Sequence, residues 1–279
     1  MKKILFLLTA MIVCFSSVAS AEEAIRPIKV GVLVSDSGTQ WFYDHADLSY
    51  LTDSKEYDTS NIELIVFNDA ASMILALKSG RVEYVMEPLS AASYVLDHNE
   101  EITANTLVQD QIDVSYSMVV TQDNHLLCKQ LNNAILSMKE DGTLDKIVEH
   151  DLTPYITNGE DPLPEKLPSS DKAPTVRVAL TGDLPPMDYV TADGQPAGFN
   201  VALLTEISYR TGINFEPVLM SSAAKTAALL TGQVDLVFWA DSIQCVTHDV
   251  EYDLSYNHCL LTEPYYTDRQ ALISLSETA

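Results

Sequence analysis

Acidic and aromatic side chains follow several apolar segments of this 279-residue sequence, where they could form a binding site. Trp239, Asp241 and Ser242 follow one such segment, and Asp183 and Glu87 follow two others. Carboxylates pair with cations, and aromatic rings attract them through cation–π contacts, so these residue types suit a cationic or neutral polar ligand. Two structural alternatives stay open, because Trp239 at a strand end could belong to the core and Asp241 could cap a turn.

A second polar segment, SDSGTQ, spans residues 35–40 and follows an apolar run at 28–34. Its backbone amides and the hydroxyl of Thr39 lie where a helix is expected to begin, which suits an anion or a ligand carbonyl group. An ordinary turn with a helix cap has the same pattern. The candidate ligand-binding residues here are Ser37, Gly38, Thr39, Gln40 and the aromatic Trp41.

Three cysteines, Cys128, Cys245 and Cys259, follow the N-terminal segment. In an oxidising compartment Cys245 and Cys259 could pair, which would leave one thiol over. The same two cysteines with His248 and His258 could also outline a zinc site, but this spacing fits no well-known set of zinc ligands. We therefore expect a disulfide or buried thiols, and no metal or other cofactor.

Residues 176–239 alternate between strand and helix patterns. The tandem prolines Pro185 and Pro186 must lie in a turn, because they carry no amide hydrogens for a strand ladder. Gly212 follows the longest helical pattern and is a typical helix end. The predicted elements are a strand at 176–182, a hairpin at 193–194, a helix at 199–210, a strand at 214–220, a helix at 223–230 and a strand at 234–239. Such alternation indicates an α/β sheet.

Residues 28–98 show a similar alternation. The predicted elements are strands at 28–34, 62–67 and 82–86, and helices at 41–47, 70–78 and 90–98. Another strand is predicted at 115–120. Helices are predicted within 126–150, where Leu131, Ile135 and Met138 recur at helical spacing and so indicate a packed face.

The motifs from Val176 to Tyr266 resemble lobe 1 of the bacterial extracellular solute-binding proteins of the amino-acid-binding type, family 3. They include the PP turn, the D-G-x-x-x-G-F step, the helix ending in R-T-G, the L-x-x-G-x-V-D motif and the final PYY. Asn200 stands where the family usually has Asp. The resemblance implies an α/β, two-lobed periplasmic-binding-protein-like fold (type II). Each lobe would be a mixed, mostly parallel sheet flanked by helices, and crossing strands would form the hinge.

Residues 28–153 resemble lobe 2 of the same family. Val30-Gly31-Val32 with Gly38-Thr39 is similar to the start of that lobe, and residues 76–83 are similar to its A-L-x-x-G-R-V-D motif. The strand at 115–120 resembles the one that crosses back to lobe 1. The helices at 126–150 resemble the closing helices, with the D-G-T motif at 141–143.

The two lobes occur in the reverse of the family's order. We predict a signal peptide at 1–21, lobe 2 plus closing helices at 28–153, a Pro-rich linker at 154–174, and lobe 1 ending in a hinge strand at 175–279. Circular permutation of one two-lobed domain explains this order, because exposed and neighbouring termini tolerate it. Alternatives are a truncated remnant of a longer tandem protein and a swapped dimer. We expect a monomer.

The family's contacts to an amino acid are changed in this sequence. Leu184 stands where the family has its stacking aromatic residue. Thr181, near Asp183, stands where lobe 1 has an acid. Pro88, directly after Glu87, stands where lobe 2 has an acid. The clamping arginine would lie near Ser255, yet residues 226–268 contain no Lys or Arg. A bidentate guanidinium usually holds a carboxylate, so a free α-amino acid bound in the family's manner is disfavoured.

The N-terminus has the pattern of a cleavable export signal. Lys2 and Lys3 precede an apolar run at 4–15, and small residues at 19–21 predict cleavage after Ala21. A membrane anchor, the alternative, needs about 20 apolar residues. Cys14 follows a valine, so no lipobox is predicted and the protein should be periplasmic or secreted. The net charge of −24 disfavours nucleic acid and anionic lipid as partners.

Three classes of function fit this pattern. The first is an exported solute-binding protein that captures a small polar ligand between two lobes for an ABC-type transporter, with a membrane permease as partner. The second is a ligand-sensing or interaction protein with no transport role. The third is a cleft enzyme of the dehydratase or lyase type, with Glu87 or Asp241 as its acid. We predict no catalysis, because the sequence shows no paired-carboxylate spacing, nucleophile elbow or metal triad.

Overall fold

The computed structural model describes residues 27–34, 62–105, 113–153, 166–243 and 259–276. The predicted signal peptide, the predicted helix at 41–47 and most of the predicted linker lie outside these residues. The described strands are β1 Ile28–Leu33, β2 Ile62–Phe67, β3 Tyr84–Pro88, β4 Ile102–Asn105, β5 Asp113–Thr121, β6 Thr175–Leu180, β7 Asp183–Leu184, β8 Asp188–Val190, β9 Pro196–Ala197, β10 Asn214–Leu219, β11 Leu236–Ile243, β12 Cys259–Leu261 and β13 Tyr266–Leu275. The described α-helices are α1 Ala70–Lys78, α2 Leu89–Asp97, α3 His125–Asp141, α4 Thr143–Asp151, α5 Phe199–Thr211 and α6 Lys225–Leu230.

One sheet runs through the described part of the chain in the order β10-β6-β11-β5-β13-β3-β1-β2, with β12 paired to β5 and β4 paired to β13. Strand β1 is parallel to β2 and β3, and β6 is parallel to β10 and β11. Antiparallel pairs join these two parallel groups through β5 and β13. Each of the two groups is parallel within itself, so this mixed α/β sheet flanked by helices confirms the predicted fold class.

Strand β13 links two units of the molecule. Its first residues, Tyr266 to Arg269, pair with β5, and its later residues, Gln270 to Ser274, pair with β3. We call β1–β4 with α1 and α2 the N-terminal unit, and β5–β12 with α3–α6 the C-terminal unit. Backbone hydrogen bonds along β13 therefore make the two units one continuous sheet.

Each unit buries its sheet under helices. In the C-terminal unit the main core combines Met118, Val178 and Phe238 with residues of α3 and α5. The adjacent strand residues, such as Val119 and Ala179, pack with α6 on the opposite face. This alternation is the period of two expected along a strand. In the N-terminal unit Val85 and Ile273 pack with residues of α1 and α2. The helices at 125–151, which precede the predicted linker, belong to the core of the C-terminal unit.

Some predicted elements differ from the observed ones. Strand β3 lies two residues later than predicted, because Arg81 N and Val82 N both donate to Ala76 O and so lengthen the turn after α1. Strand β11 extends to Ile243, so Trp239, Asp241 and Ser242 lie within it and not beyond it. The helix predicted at 223–230 is a 3₁₀ turn at Ser222–Ala224 followed by α6. Glu87 is likewise a strand residue.

Candidate functional site

The N-termini of α1 and α2 meet the C-terminal unit at one edge of the sheet. Helix α1 begins at Ala70 shortly after β2 ends, and α2 begins directly after β3. Carboxyl ends of parallel strands and the following helix N-termini share one edge, which is the usual ligand position of such sheets. Asp183 on β7 and Asp268 on β13 reach this edge. We call the region of Ala70, Glu87, Ser90, Asp183 and Asp268 the interlobe site.

Glu87 is a buried acid with no hydrogen-bond partner among the described residues. It lies on β3 opposite Ala271 of β13, and only 2% of its surface is exposed. Neither carboxyl oxygen has a hydrogen-bond partner in this part of the chain. Burial, and secondly the negative charge of Asp183, raise the pKa of Glu87 to about 8. In the arrangement described here Glu87 is therefore protonated at neutral pH.

Asp183 connects the C-terminal unit to helix α1. Its Oδ2 accepts a hydrogen bond of 3.2 Å from Ala70 N. Partial burial raises the pKa of Asp183, and the charges of Asp188 and Asp69 raise it further, whereas hydrogen bonds from Ala71 and Thr181 lower it. Asp183 is thus an acid at the junction of the two units, close enough to Glu87 for their charges to interact.

Asp268 occupies the start of helix α2. Its Oδ2 accepts a hydrogen bond of 3.0 Å from Ser90 N and one of 2.6 Å from Ser90 Oγ, and its Oδ1 accepts one of 2.8 Å from Arg269 N. Burial raises the pKa of Asp268 against these bonds. Burial, followed by the charge of Asp268, also raises the pKa of Tyr266. Met187 Sδ lies 3.4 Å from Ser90 Oγ, so α2 also contacts the loop between β7 and β8.

The buried carboxylate of Asp188 fixes the turn that carries Asp183. Its Oδ1 accepts from Thr181 N at 2.8 Å, from Thr181 Oγ1 at 2.6 Å and from Gly182 N at 2.6 Å. Its Oδ2 accepts from Asn200 Nδ2 at 2.9 Å. An Asp at position 200 would place two carboxylates side by side, which gives a physical reason for the asparagine found there.

The sequence-predicted site residues are distributed unevenly. Asp183 and Glu87 lie together at the interlobe site. Leu184 packs in the main core, where 8% of its surface is exposed. Backbone pairing places Asp241 opposite Tyr116 and Ser242 opposite Ser115, within β11. The segment from Ser37 to Trp41 lies outside the described residues.

The cysteine predictions are only partly covered by the described residues. Cys128 is a buried free thiol whose Sγ lies 3.5 Å from Leu261 O, and burial raises its pKa. Cys259 is buried on β12. Cys245, His248 and His258 lie outside the described ranges. Within those ranges no three His, Cys, Asp or Glu side chains form a group that could hold a metal ion.

Sequence reasoning missed Ser90, Tyr266 and Asp268. Ser90 was expected only as the first residue of a helix, and Tyr266 only as part of the PYY motif. Asp268 carries no local signal, because its role depends on β13 running beside β3 and α2.

Of the helices described, none is long and apolar enough to cross a membrane.

The comparison with known families concerns the C-terminal part of the chain. Residues 176–278 match the model of the bacterial extracellular solute-binding proteins, family 3. Over this segment the chain is similar to that family. The matched segment contains β6 to β13, and therefore Asp183 and Asp268 of the interlobe site. The family resemblance of the sequence is confirmed here, whereas the reversed order of the lobes stays a prediction. No curated protein matches the chain.

Several solved structures have a similar arrangement. The ligand-binding component of an ABC-type import system from Staphylococcus aureus is 15% identical, with a TM-score of 0.46 over 90% of this chain and 67% of that one. The alkanesulfonate-binding protein from Xanthomonas axonopodis pv. citri is 12% identical, with a TM-score of 0.41 over 91% and 66%. The GluR0 ligand-binding core in complex with L-glutamate is 13% identical, with a TM-score of 0.39 over 92% and 87%. This chain thus spans about two thirds of the length of the first two.

Proposed function

We propose that this chain is an exported solute-binding protein that captures a small polar ligand between its two units and presents it to an ABC-type permease. The family match of residues 176–278 supports a binding role. The interlobe site supports a ligand position between the two units, because Glu87 comes from one unit and Asp183 from the other. A ligand that contacts both units would favour the closed arrangement through its higher affinity for that state.

The observation that carries the proposal is the state of Glu87. Buried polar groups in proteins nearly always have a hydrogen-bond partner, and a missing one costs about 1–3 kcal/mol. Both oxygens of Glu87 are buried without one in the described part of the chain. Acids with strongly perturbed pKa values are typical of functional sites. A bound ligand with hydrogen-bond donors would supply the missing partners.

The charges at the site favour a cationic ligand, or a neutral one with donors. A cation beside Glu87 would favour its ionised form and would be attracted by Asp183 as well. An anion would be repelled by the negative charge of Asp183 and would not favour the ionised form of Glu87. The absence of Lys and Arg between residues 226 and 268 is consistent with this preference.

Isothermal titration calorimetry tests the ligand class. We expect binding among cationic probes such as putrescine, agmatine and choline, weaker or no binding of glucose and glutamine, and none of glutamate or succinate. Glu87→Gln should weaken binding about tenfold or more, since it removes the charge that pairs with the cation. Glu100→Gln is the matched control, because Glu100 is an exposed carboxylate of the same unit. Preferential binding of glutamate would contradict the proposal.

We further propose that the two units are the lobes of one permuted solute-binding domain. Supporting this, the family match begins at residue 176 and includes the whole of β13, the strand that pairs with the N-terminal unit. The predicted linker at 154–174 would join the family's natural termini. Light scattering after size exclusion should give a monomer mass, and a stable dimer mass would favour the swapped arrangement instead.

A ligand-sensing or interaction protein without a permease is the second candidate. It is favoured by one observation, namely that two helix N-termini at the interlobe site are occupied by Asp183 and Asp268. Such a protein would bind none of the probes in calorimetry. A surface or membrane partner that co-purifies with the chain would then select this candidate over a transport role.

A further inference from the structure

Two helix N-termini at the interlobe site are occupied by carboxylates of the chain itself. The first turn of a helix leaves amide hydrogens without partners within the helix, and the helix dipole makes this end attractive to anions. At the start of helix α1, Ala70 N donates to Asp183, and at the start of helix α2, Ser90 N donates to Asp268. Both carboxylates come from residues far along the chain, so these contacts are tertiary and not local caps.

The local caps of the two helices leave room for these contacts. Asp69 precedes α1, and its Oδ1 accepts from Ser72 N at 2.7 Å, which leaves Ala70 N to Asp183. Helix α2 follows Pro88, which supplies no side-chain cap. Asp268 is therefore the side chain that caps α2, through both the amide and the hydroxyl of Ser90.

We infer that Asp183 and Asp268 act as internal anions, which fill the anion-attracting positions of the interlobe site and so exclude anionic ligands from it. The carboxyl of Glu87, which has no hydrogen-bond partner among the described residues and interacts with the charge of Asp183, marks the position that is left for a ligand. This inference deepens the proposed function and rests on it for the location of the ligand. It adds that two carboxylates already bonded to helix N-termini determine the charge class of the ligand.

The two carboxylates have different mechanical roles. Asp268 lies on β13 just before that strand passes from β5 to β3, so its bond to Ser90 N joins the linking strand to α2. Asp183 lies on β7 of the C-terminal unit, and its bond to Ala70 N crosses between the units. Separation of β7 from α1 would break the bond of Asp183, whereas the bond of Asp268 depends on β13 and α2. Asp183 is therefore one of the contacts that hold the ligand-free units together.

The test uses the ligand-free, ¹⁵N-labelled full chain and the backbone amide signal of Ala70. In the Asp183→Ala variant we expect this signal to move relative to the wild type, because the acceptor is removed. On titration with sodium acetate it should then move further and saturate, at concentrations about tenfold below any response of the wild type. Asp171→Ala is the matched control, since Asp171 is an exposed carboxylate of the same unit, and it should behave as wild type.

Two outcomes would overturn the inference. One is an Ala70 signal that does not change in Asp183→Ala, and the other is an acetate response equal to that of the wild type. Asp183→Asn keeps an acceptor without the charge, so it should give an intermediate response if the alanine variant is poorly folded. Small-angle scattering should show a larger radius of gyration for Asp183→Ala than for Asp171→Ala. These measurements involve no cationic probe, so they can fail while calorimetry succeeds, and the reverse.

Discussion

Asp188 and Glu87 are two buried acids with opposite surroundings. Their exposed fractions are 1% and 2%. Asp188, in the C-terminal unit, accepts four hydrogen bonds from Thr181, Gly182 and Asn200. Glu87, in the N-terminal unit, accepts none from the described residues. Equal burial therefore does not mean equal energetic role.

Under the proposed function, this difference separates a structural acid, Asp188, from a ligand-binding one, Glu87. The donors around Asp188 satisfy its buried carboxylate and fix the turn that leads to Asp183. A carboxyl without donors is retained at a cost in folding free energy. Such a cost is typical of sites whose partner is a ligand, because selection for binding can maintain what selection for stability alone would remove.

The largest expected effect is that of Asp188→Ala. It would leave the amides of Thr181 and Gly182 and the amide of Asn200 without their acceptor, so we expect a loss of about 4 kcal/mol in the free energy of unfolding. Urea denaturation followed by circular dichroism measures this. Asp193→Ala, in the exposed turn between β8 and β9, should change stability by less than about 1 kcal/mol. Equal losses in both variants would show that Asp188 stabilises the fold no more than an exposed aspartate does.

At neutral pH Glu87→Gln should have the next largest effect, and this effect should depend on pH. The folded pKa of Glu87, about 8, lies above its ordinary value of 4.5, so the folded state binds more protons between these values. Stability should therefore fall as pH rises through this window, by about 1.4 kcal/mol per pH unit. Glu87→Gln should abolish this fall, and the variant should be more stable than the wild type near the upper end of this pH window. Glu100→Gln should keep the wild-type slope, and a wild-type profile without the fall would contradict the surroundings described for Glu87.

A smaller effect is expected for Asn200→Asp, which restores the residue usual in the family. The new carboxylate would lie beside Asp188, so its pKa should be raised and stability should decrease by roughly 2 kcal/mol at neutral pH. The loss should shrink towards acidic pH, where one of the two acids is protonated. Asn200→Ala removes the donor without adding a charge, so its loss should lack this pH dependence. Thermal unfolding at several pH values distinguishes the two variants.

The smallest effect concerns the influence of Asp183 on Glu87. Asp183→Asn should lower the pKa of Glu87, because it removes the neighbouring negative charge. Burial is the larger cause, so the pKa should remain above the ordinary range of a glutamate. Titration of the ¹³C-labelled carboxyl by NMR measures this directly. Asp171→Asn should leave the Glu87 titration unchanged, whereas an unchanged titration in Asp183→Asn would show that the two acids are independent.

Much of the fold could be predicted because its signals are local. The bounds of α1, Ala70–Lys78, and of β2, Ile62–Phe67, agree with the sequence prediction, since apolar periodicity and Gly80 determine them. Gly194 has φ of 81°, as its predicted place in a hairpin turn requires. The position of β3 was wrong by two residues, because hydrogen bonds of the preceding turn take up residues that the strand pattern would include.

The candidate site could be predicted only in part. Asp183 and Glu87 were identified because they lie near the positions where the family resemblance places acidic contacts to the ligand. Whether an acid has donors around it cannot be read from its neighbours in sequence, and Asp188, which has four, was not singled out. Ser90 and Asp268 are 178 residues apart, and only the pairing of β13 with β3 brings them into contact.

The sequence by itself determined the alternation of strands and helices, the family of residues 176–278 and the acidic character of the candidate site. These depend on residue type and spacing, which act over a few positions of the chain. Only the tertiary structure decided which acid is held by donors, which is left without them and which helix ends are already occupied. Those outcomes depend on desolvation and on donors supplied by distant segments, and neither exists until the two units are packed against β13.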